Sequence, residues 1–357
     1  MSIATENPAL HLTARRLPLW WPFVSIGAAV LVCVVAFGSR AITGMLSLII
    51  LTATTFITVS WLWCRVVEGK RRARNRLTTI LAWTAFLVAF VPLVSIMWTV
   101  FYNGVLAIDH AFGWSFLTHS MRNQVPFLAG GGVLAGIIGT VEQVAMAVII
   151  AVPISILTAI YLVEYAPYLK SGRLPKLVSF FVDVMTGVPS IVAGLFVYTF
   201  FVLALGQQRS GFAGSLALTI LMIPVVTRAT EEMLRVVPNM LREGALALGV
   251  PRWKTIVRIV LPTAAGGIAT GIMLGIARVA GETAPLLLTT FLAQDVNWNL
   301  FSGPQASIPT FIWDQFGSGT NPSIARAWAG ALTLILIVAV FYVAARLVAW
   351  RTAPKSR

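Results

Sequence analysis

Residues 242–262 read REGALALGVPRWKTIVRIVLP. Small and helix-favouring residues lead up to Gly249, and glycine readily takes the positive φ at which many helices end. Pro251 follows two residues later and suits the start of a second helix. The stretch therefore predicts two short helices, the first over 239–248, joined by a tight turn. We call residues 239–262 the elbow; an ordinary amphipathic loop is the alternative interpretation.

Long apolar runs lie on both sides of the elbow. The 357 residues are 58% hydrophobic and 11% charged, whereas a soluble domain carries about 25% charged residues. Eight runs are long enough to cross the hydrocarbon as helices, at about 20 residues each. They lie at 18–38, 42–63, 78–101, 132–163, 177–206, 212–230, 264–293 and 328–349. The sequence predicts an all-α, polytopic membrane bundle of about eight helices, with the long fourth, fifth and seventh runs kinked at Pro153, Pro189 and Pro285.

The formal net charge of +14 indicates membrane orientation rather than nucleic-acid binding. Most of the 26 Lys and Arg residues fall in segments that share one side of the bundle. These segments are the N-terminus, 65–76, 164–176, 228–262 and the C-terminal tail. Because cytoplasmic loops carry the excess of positive charge, both termini are expected in the cytoplasm.

The chain carries no recognisable catalytic or metal-binding set. Its two cysteines, Cys33 and Cys64, lie in apolar runs, and its three histidines are scattered. No disulfide, metal site or cofactor is therefore expected. The sequence contains no nucleophile–base pair and no GxxxxGK[ST] phosphate-binding loop, so we expect no enzymatic activity of its own.

The seventh run combines a glycine stripe with two charges. Gly267, Gly271 and Gly275 recur every four residues and form a smooth helix face on which another helix can pack closely. Arg278 and Glu282 extend roughly the same face, four residues apart, where they can pair. An arginine in the bilayer costs about 2.5 kcal/mol or more, and its fixed fork of donors suits an oxyanion such as phosphate, sulfate or molybdate. An anion path and a purely structural Arg–Glu pair both fit this pattern.

The elbow resembles the signature loop of ABC-importer permeases, in which E-A-A is followed by a glycine and then by I-x-L-P. The matching positions are Glu243, Ala245, Gly249, Ile259, Leu261 and Pro262, and Gly244 departs from the usual alanine. That glycine costs about 1 kcal/mol of helix propensity. The resemblance implies that the elbow inserts into a cleft of a separate ATPase subunit, with Glu243 as an anchoring charge and Ala245 permitting close approach.

Further segments resemble the PstA family of phosphate permeases, in the family's order. They include IYLVEY at 160–165, VPSIVAGLFVY at 188–198, TEEML at 230–234 and ARVAGETAPLL from Ala277 onward. The resemblance runs from about residue 78 to the C-terminus. It implies an inner-membrane, type I ABC importer permease of the MetI-like fold, which forms half of a phosphate pore and couples ATPase closure to alternating access. Arg278 carries over as a transient phosphate contact, with Glu282 as its partner.

The same resemblance implies partners. An ATPase dimer offers two clefts and this chain has one elbow, so a second permease subunit, of the PstC type, is expected. Two ATPase subunits of the PstB type and an external phosphate-binding protein of the PstS type complete the complex. Membrane lipid surrounds it, and phosphate passes through it.

Two features extend or depart from the family pattern. Residues 1–77 comprise an N-terminal arm, two extra membrane helices and a basic loop. They precede a permease domain over 78–357 that contains a coupling loop at 231–262. Glu142 in the fourth run is unusual, and either pairs with a basic group or lies near the outer interface. Asp183 in the fifth run is expected to hold helices together.

Two other functions stay open. An ABC permease for another oxyanion (sulfate, molybdate or phosphonate) would share the elbow and differ in the seventh run, whose AGETAP sequence favours phosphate. An ion-coupled secondary transporter needs no elbow and is expected to show more paired intramembrane charges.

Overall fold

The structure is a computed structural model that describes residues 18, 20–38, 45–169 and 172–352. The regular secondary structure of these residues is helical. The α-helices are α1 (Trp21–Gly38), α2 (Met45–Val67), α3 (Lys70–Leu106), α4 (Leu134–Ile160), α5 (Arg173–Thr186), α6 (Ser190–Val197), α7 (Gly211–Val236), α8 (Asn239–Ala247), α9 (Arg252–Thr255), α10 (Leu261–Ala280), α11 (Ala284–Thr289), α12 (Ile308–Ser318) and α13 (Asn321–Thr352). Short π-helical turns extend α3, α4 and α6 and join α9 to α10. The predicted N-terminal arm lies outside the described residues, as does the tail beyond Thr352.

Within the described residues, six helices are long and apolar enough to cross a membrane, and the bent α5–α6 pair raises the total to seven if it counts as one span. α1 is apolar but shorter. Each of the eight predicted runs corresponds to one of these elements. The predicted all-α membrane bundle is therefore confirmed.

Two of the predicted runs are broken rather than kinked. In the fifth run, α5 and α6 are bent by 107° across a break of three residues. In the seventh run, α10 ends at Ala280 and α11 begins at Ala284. Pro189 directly precedes α6, and Pro285 lies in the first turn of α11, where the missing N–H is tolerated because it has no helical partner. The prediction of continuous, kinked helices was wrong at these two prolines, whereas Pro153 lies inside α4.

The basic segment predicted as a loop at 65–76 is mostly helical. α2 continues to Val67, and α3 begins at Lys70 rather than at residue 78. Lys and Arg favour helices almost as strongly as Leu does, so α3 extends beyond its apolar part.

The chain divides into two compact units, Met1–Trp98 and Thr99–Arg357. In the first unit, α1 packs against α2, and Cys64 and Ala73 are buried next to tryptophan side chains. The second unit holds the residues of the candidate site.

The core of the second unit is built around α7. This helix packs most extensively against α4 and α10 and also contacts α5, α6 and α11. Its buried side chains Leu218, Met222 and Val226 lie in one cluster with Ala147 and Ala151 of α4. Small residues on α4 let the two helices approach closely. α7 therefore fixes the relative positions of the elements that carry the candidate site.

Candidate functional site

The elbow turns at Gly249, whose φ is +76°. The Gly249 N–H donates to the Leu246 carbonyl (2.9 Å), and the Val250 N–H donates to the Ala245 carbonyl (3.1 Å). This pair of bonds is the Schellman arrangement, which closes a helix through a residue at positive φ. Open space surrounds the position that a Gly249 Cβ would take. The backbone conformation, not crowding within the chain, therefore calls for glycine at this turn.

Around this turn the elbow exposes large apolar side chains. Met240 is 82% exposed, Leu248 85% and Trp253 61%. Charged Glu243 is exposed beside them on α8. Clustered apolar exposure with a polar neighbour is typical of a protein interaction surface.

Besides Gly249, six residues are predicted to couple this chain to the ATPase, and they differ in exposure. Glu243 and Gly244 are exposed on α8, and open space surrounds the position that a Gly244 Cβ would take. Ala245 is only 5% exposed, so its small side chain packs within this chain. The remaining three are half-buried where the second arm of the elbow meets α10: Ile259, Leu261 and Pro262.

Arg242, the residue before Glu243, ties the elbow to two membrane helices. Its guanidinium donates to Glu164 Oε1 at 2.7 and 3.0 Å and to Glu164 Oε2 at 3.3 Å. It also donates to the carbonyls of Leu234 (2.7 Å) and Val237 (2.6 Å), at the end of α7, and to Asn239 Oδ1 (3.2 Å). The side chains of Arg242 and Glu164 are 15% and 7% exposed. The sequence alone does not indicate this pair, because 78 positions separate the two residues.

Arg278 and Glu282 do not form the helical pair that the sequence predicted. α10 ends at Ala280, so Glu282 lies in the break before α11, where its N–H donates to the Val279 carbonyl (3.2 Å). Arg278 is exposed in the last turn of α10, and Glu282 is half-buried. Among the described residues, neither side chain has a hydrogen bond or ion pair. The i,i+4 geometry assumed for this pair requires a continuous helix, which Gly281 and the approaching Pro285 end.

The break after α10 is held against α6 by a close contact of two motifs. A Cβ on Gly194 of α6 would lie 2.5 Å from Pro285 Cα and 3.0 Å from Pro285 O. Only glycine fits there without a shift of backbone. The VPSIVAG and AGETAP segments, nearly 90 residues apart in sequence, thus meet at the break that follows Arg278 in the chain.

The predicted glycine stripe lies along α7. Gly267 faces Met233, and Gly271 faces Ala229. A Cβ on Gly275 would lie 2.9 Å from Val226 Cγ2. Each position is close enough that an added methyl group would press on α7.

Arg228 was counted with the cytoplasmic loop, but it lies within α7. Its guanidinium donates to Asp183 Oδ1 at 2.5 Å, to Glu231 Oε2 at 2.8 Å and to Ser179 O at 3.0 Å. This cluster joins α5 to α7. The helix-holding role expected of Asp183 stays a prediction, and this contact supports it.

Glu142 has an amide partner. Gln305 Nε2 donates to Glu142 Oε2 at 2.6 Å, and Gln143 Nε2 donates to Gln305 Oε1 at 3.0 Å. Gln305 belongs to the segment after α11 that was predicted to lie outside the membrane. The two alternatives for Glu142, a basic partner or a place near the outer interface, stay predictions, and the contact seen here is with an amide. The described residues contain no group of three or more His, Cys, Asp or Glu side chains that could hold a metal ion.

A second arginine missed by the sequence reasoning is Arg326, which is fully buried near the start of α13. Its Nε donates to Gln315 Oε1 at 2.7 Å, and its Nη1 and Nη2 donate to the carbonyls of Leu128 (2.9 Å), Gly130 (3.1 Å) and Pro126 (3.1 Å). Arg326 thus fixes the segment that leads into α4. A lone arginine at the start of an apolar run carries no sequence signal for this role.

Comparison with known proteins places this geometry in a family. The model of the family described as "Binding-protein-dependent transport system inner membrane component" matches residues 151–353. Phosphate transport system permease protein PstA 1 of Mycobacterium tuberculosis (strain CDC 1551 / Oshkosh) is 46% identical over 284 residues, covering 80% of this chain and 91% of that protein. Phosphate transport system permease protein PstA of Yersinia pestis is 38% identical over 288 residues, covering 80% of this chain and 92% of that protein.

A solved structure shares the fold. A chain of a bacterial alginate ABC transporter, in complex with an alginate pentasaccharide-bound periplasmic protein, superposes with a TM-score of 0.56 at 16% identity. The match covers 81% of this chain and 100% of that chain. At this identity the likeness concerns the fold alone.

Proposed function

Because the chain belongs to the PstA family of binding-protein-dependent inner-membrane permeases, we propose that it forms half of the translocation pore of an ATP-driven phosphate importer. The observation that carries this proposal is the 46% identity to a phosphate permease over 80% of the chain. The exposed elbow supports the ATP-driven part, because a transporter driven by an ion gradient needs no such surface. The chain itself is a permease subunit.

The elbow docks on the ATPase. Glu243 and the exposed apolar side chains of Met240, Leu248 and Trp253 supply a charge and a hydrophobic knob of the kind that fills a cleft. A PstB-like ATPase dimer has two such clefts. One elbow from this chain and one from a PstC-like permease fill them, and a PstS-like protein delivers phosphate from outside. When ATP binding closes the dimer, the elbow carries that movement to the membrane helices.

Arg278 contacts phosphate in transit. Its side chain is exposed and, among the described residues, has no protein partner, so its N–H groups are available to an anion. A guanidinium presents five donors in a rigid fork that matches a phosphate oxygen pair. Glu282 lies four residues after Arg278, in the break before α11, and its negative charge lowers the net attraction of this region for phosphate. A contact that is transient rather than tight lets the ion leave.

The orientation follows from the charge distribution. The elbow and the basic segments around α2 and α3 lie in the cytoplasm, since Lys and Arg accumulate on that side. Both termini then lie in the cytoplasm as well. Cysteine-accessibility labelling at each end of the chain tests this arrangement.

The function is tested by uptake into proteoliposomes that hold this chain with its co-purifying subunits and binding protein. ATP-dependent phosphate uptake that excess sulfate and molybdate do not reduce is the expected result. Uptake of a different oxyanion would keep the ABC permease and discard phosphate as its substrate. Uptake driven by an ion gradient without ATP would overturn the transporter class.

A further inference from the structure

Arg242 joins the elbow helix α8 to the ends of α7 and α4. It belongs to α8, its Nη groups donate to the last carbonyls of α7, and its bidentate contact with Glu164 reaches the end of α4. We call Arg242, Glu164 and the carbonyls of Leu234 and Val237 the clamp. A cation at the C-terminal end of a helix is favourable, so the α7 contact holds Arg242 in position for Glu164.

Glu164 is unusual in its surroundings. It is 6% exposed in a π-helical turn, Tyr161–Tyr165, that follows the apolar α4. Single π-helical turns are found frequently at functional sites, because the extra residue redirects a side chain. A second π-helical turn, Ile256–Val260, joins the other arm of the elbow to α10. Irregular turns thus lie where the elbow contacts the end of α4 and where it continues into α10.

We propose that the clamp is the positioning contact through which the elbow moves α4 and α7. The proposal rests on the proposed coupling of the elbow to an ATPase. Without the clamp, closure of the ATPase would reach α10 directly through the chain but would reach α4 only through side-chain packing. With it, α8 and the ends of α4 and α7 move as one body. α4 and α7 pack against α10, and α7 also contacts α11, so the movement reaches the break that follows Arg278.

The geometry favours transmission over simple adhesion. Two guanidinium nitrogens contact one carboxylate, which fixes direction as well as distance. The same guanidinium is fixed by two carbonyls, so it has little freedom to turn when α8 is displaced. An exposed, single-contact ion pair transmits little because solvent screens it and its side chains can rotate. Arg122 and Asp295 form such a pair in the second unit, at 3.3 Å with 72% and 54% exposure.

The first test measures coupling in the complete reconstituted complex. Glu164→Gln keeps the shape of the side chain and removes its charge, and Asp295→Asn makes the same change in the exposed pair. For Glu164→Gln we expect the ATPase to co-purify and hydrolysis to stay within about twofold of the unchanged chain, while phosphate uptake per ATP falls about tenfold, a typical allosteric coupling. Asp295→Asn leaves the ratio unchanged. Arg242→Lys, which keeps the charge but not the fork, gives an intermediate ratio.

Two results would overturn the proposal. An unchanged ratio in Glu164→Gln shows that the elbow transmits by another route. Loss of the ATPase from the purified Glu164→Gln complex shows that the clamp only supports folding or docking.

A second test reads the movement directly and does not depend on which anion is carried. Spin labels are placed at Leu157 on α4 and Leu241 on α8, both exposed, after serine replaces Cys33 and Cys64. The distance between the labels should be the same in the nucleotide-free and ATP-trapped complexes, and should differ between the two states in the Glu164→Gln variant. If the change in label distance between the two nucleotide states is the same in the unchanged complex and in the Glu164→Gln complex, the clamp is refuted. If the unchanged complex takes up no phosphate with ATP, the proposed function fails instead, and the label distances still decide whether the clamp transmits movement.

Discussion

Gly194→Ala tests whether the contact of α6 with the break before α11 matters for transport. The added methyl carbon would lie 2.5 Å from Pro285 Cα and 3.0 Å from Pro285 Cβ and O, whereas ordinary contacts start at 3.4 Å. The obstacle is backbone in the first turn of a helix, so no side-chain rotation relieves it. α6 and α11 must separate by about 0.9 Å, the difference between 3.4 and 2.5 Å, because packed interiors have little free space to absorb the change.

The expected energy combines two opposing effects. Replacing a glycine inside a helix by alanine stabilises it by about 0.5–1 kcal/mol. Overpacking costs about 1–3 kcal/mol, and a contact with backbone belongs to the upper part of that range. The net loss is therefore about 1–2 kcal/mol, which changes the ratio of folded to unfolded protein about 5–30-fold.

Gly266→Ala is the matched control. Gly266 lies inside α10, and nothing is within 4 Å of the position of its added Cβ, so it should gain the helix-propensity benefit alone. Thermal unfolding of the purified complex and the initial rate of ATP-dependent phosphate uptake are measured for both variants. We expect Gly194→Ala to lower both values and Gly266→Ala to preserve or slightly raise the unfolding temperature. If the two variants behave alike, the close approach of α6 to Pro285 does not constrain the permease, and the reasoning from this contact is refuted.

Three further substitutions test other parts of the site. Arg278→Gln should abolish uptake without loss of the co-purified subunits, because the side chain has no partner among the described residues; loss of assembly would indicate a structural arginine. Gly249→Glu should lower phosphate uptake per ATP. The φ of +76° costs a non-glycine residue about 1–2 kcal/mol, and the added charge lies on the docking surface. Normal uptake would contradict ATPase docking. Arg326→Gln should destabilise the permease by about 1.5–3 kcal/mol, because the buried guanidinium loses its hydrogen bonds to the carbonyls of Pro126, Leu128 and Gly130. Arg122→Gln in the exposed pair should change stability by less than about 1 kcal/mol, and equal unfolding temperatures would refute the role of Arg326.

The sequence predicted the helices well where one physical signal dominates. An apolar run of about 20 residues has few folded alternatives in lipid, so the runs that became α3, α4, α7 and α13 could be recognised from composition. The breaks at Pro189 and Pro285 could not, because proline can kink a helix or begin a new one. Which outcome occurs depends on the packing partner, here Gly194 against Pro285, and that contact joins residues far apart in the chain.

The candidate site was predictable where its residues are neighbours in sequence. The elbow follows from a glycine and a proline two positions apart, and the structure shows the turn at Gly249. The contacts of Arg242 with Glu164 and of Gln305 with Glu142 each join residues more than 70 positions apart. A single sequence carries no signal for such pairs. The pairing of Arg278 with Glu282 failed for a related reason, since it assumed helical spacing across a segment that is not helical.

Arg278 also shows why one chain is an incomplete description of this site. An unpaired arginine that faced hydrocarbon would cost at least about 2.5 kcal/mol, and among the described residues nothing compensates it. In the membrane its guanidinium must therefore meet water, an anion or a second subunit. Each of these is available in a half-pore, because the exposed wall of one subunit becomes the lining of a channel once the other subunit is in place. We therefore expect Arg278 to contribute to transport rather than to the stability of this chain, and the Arg278→Gln variant decides between the two.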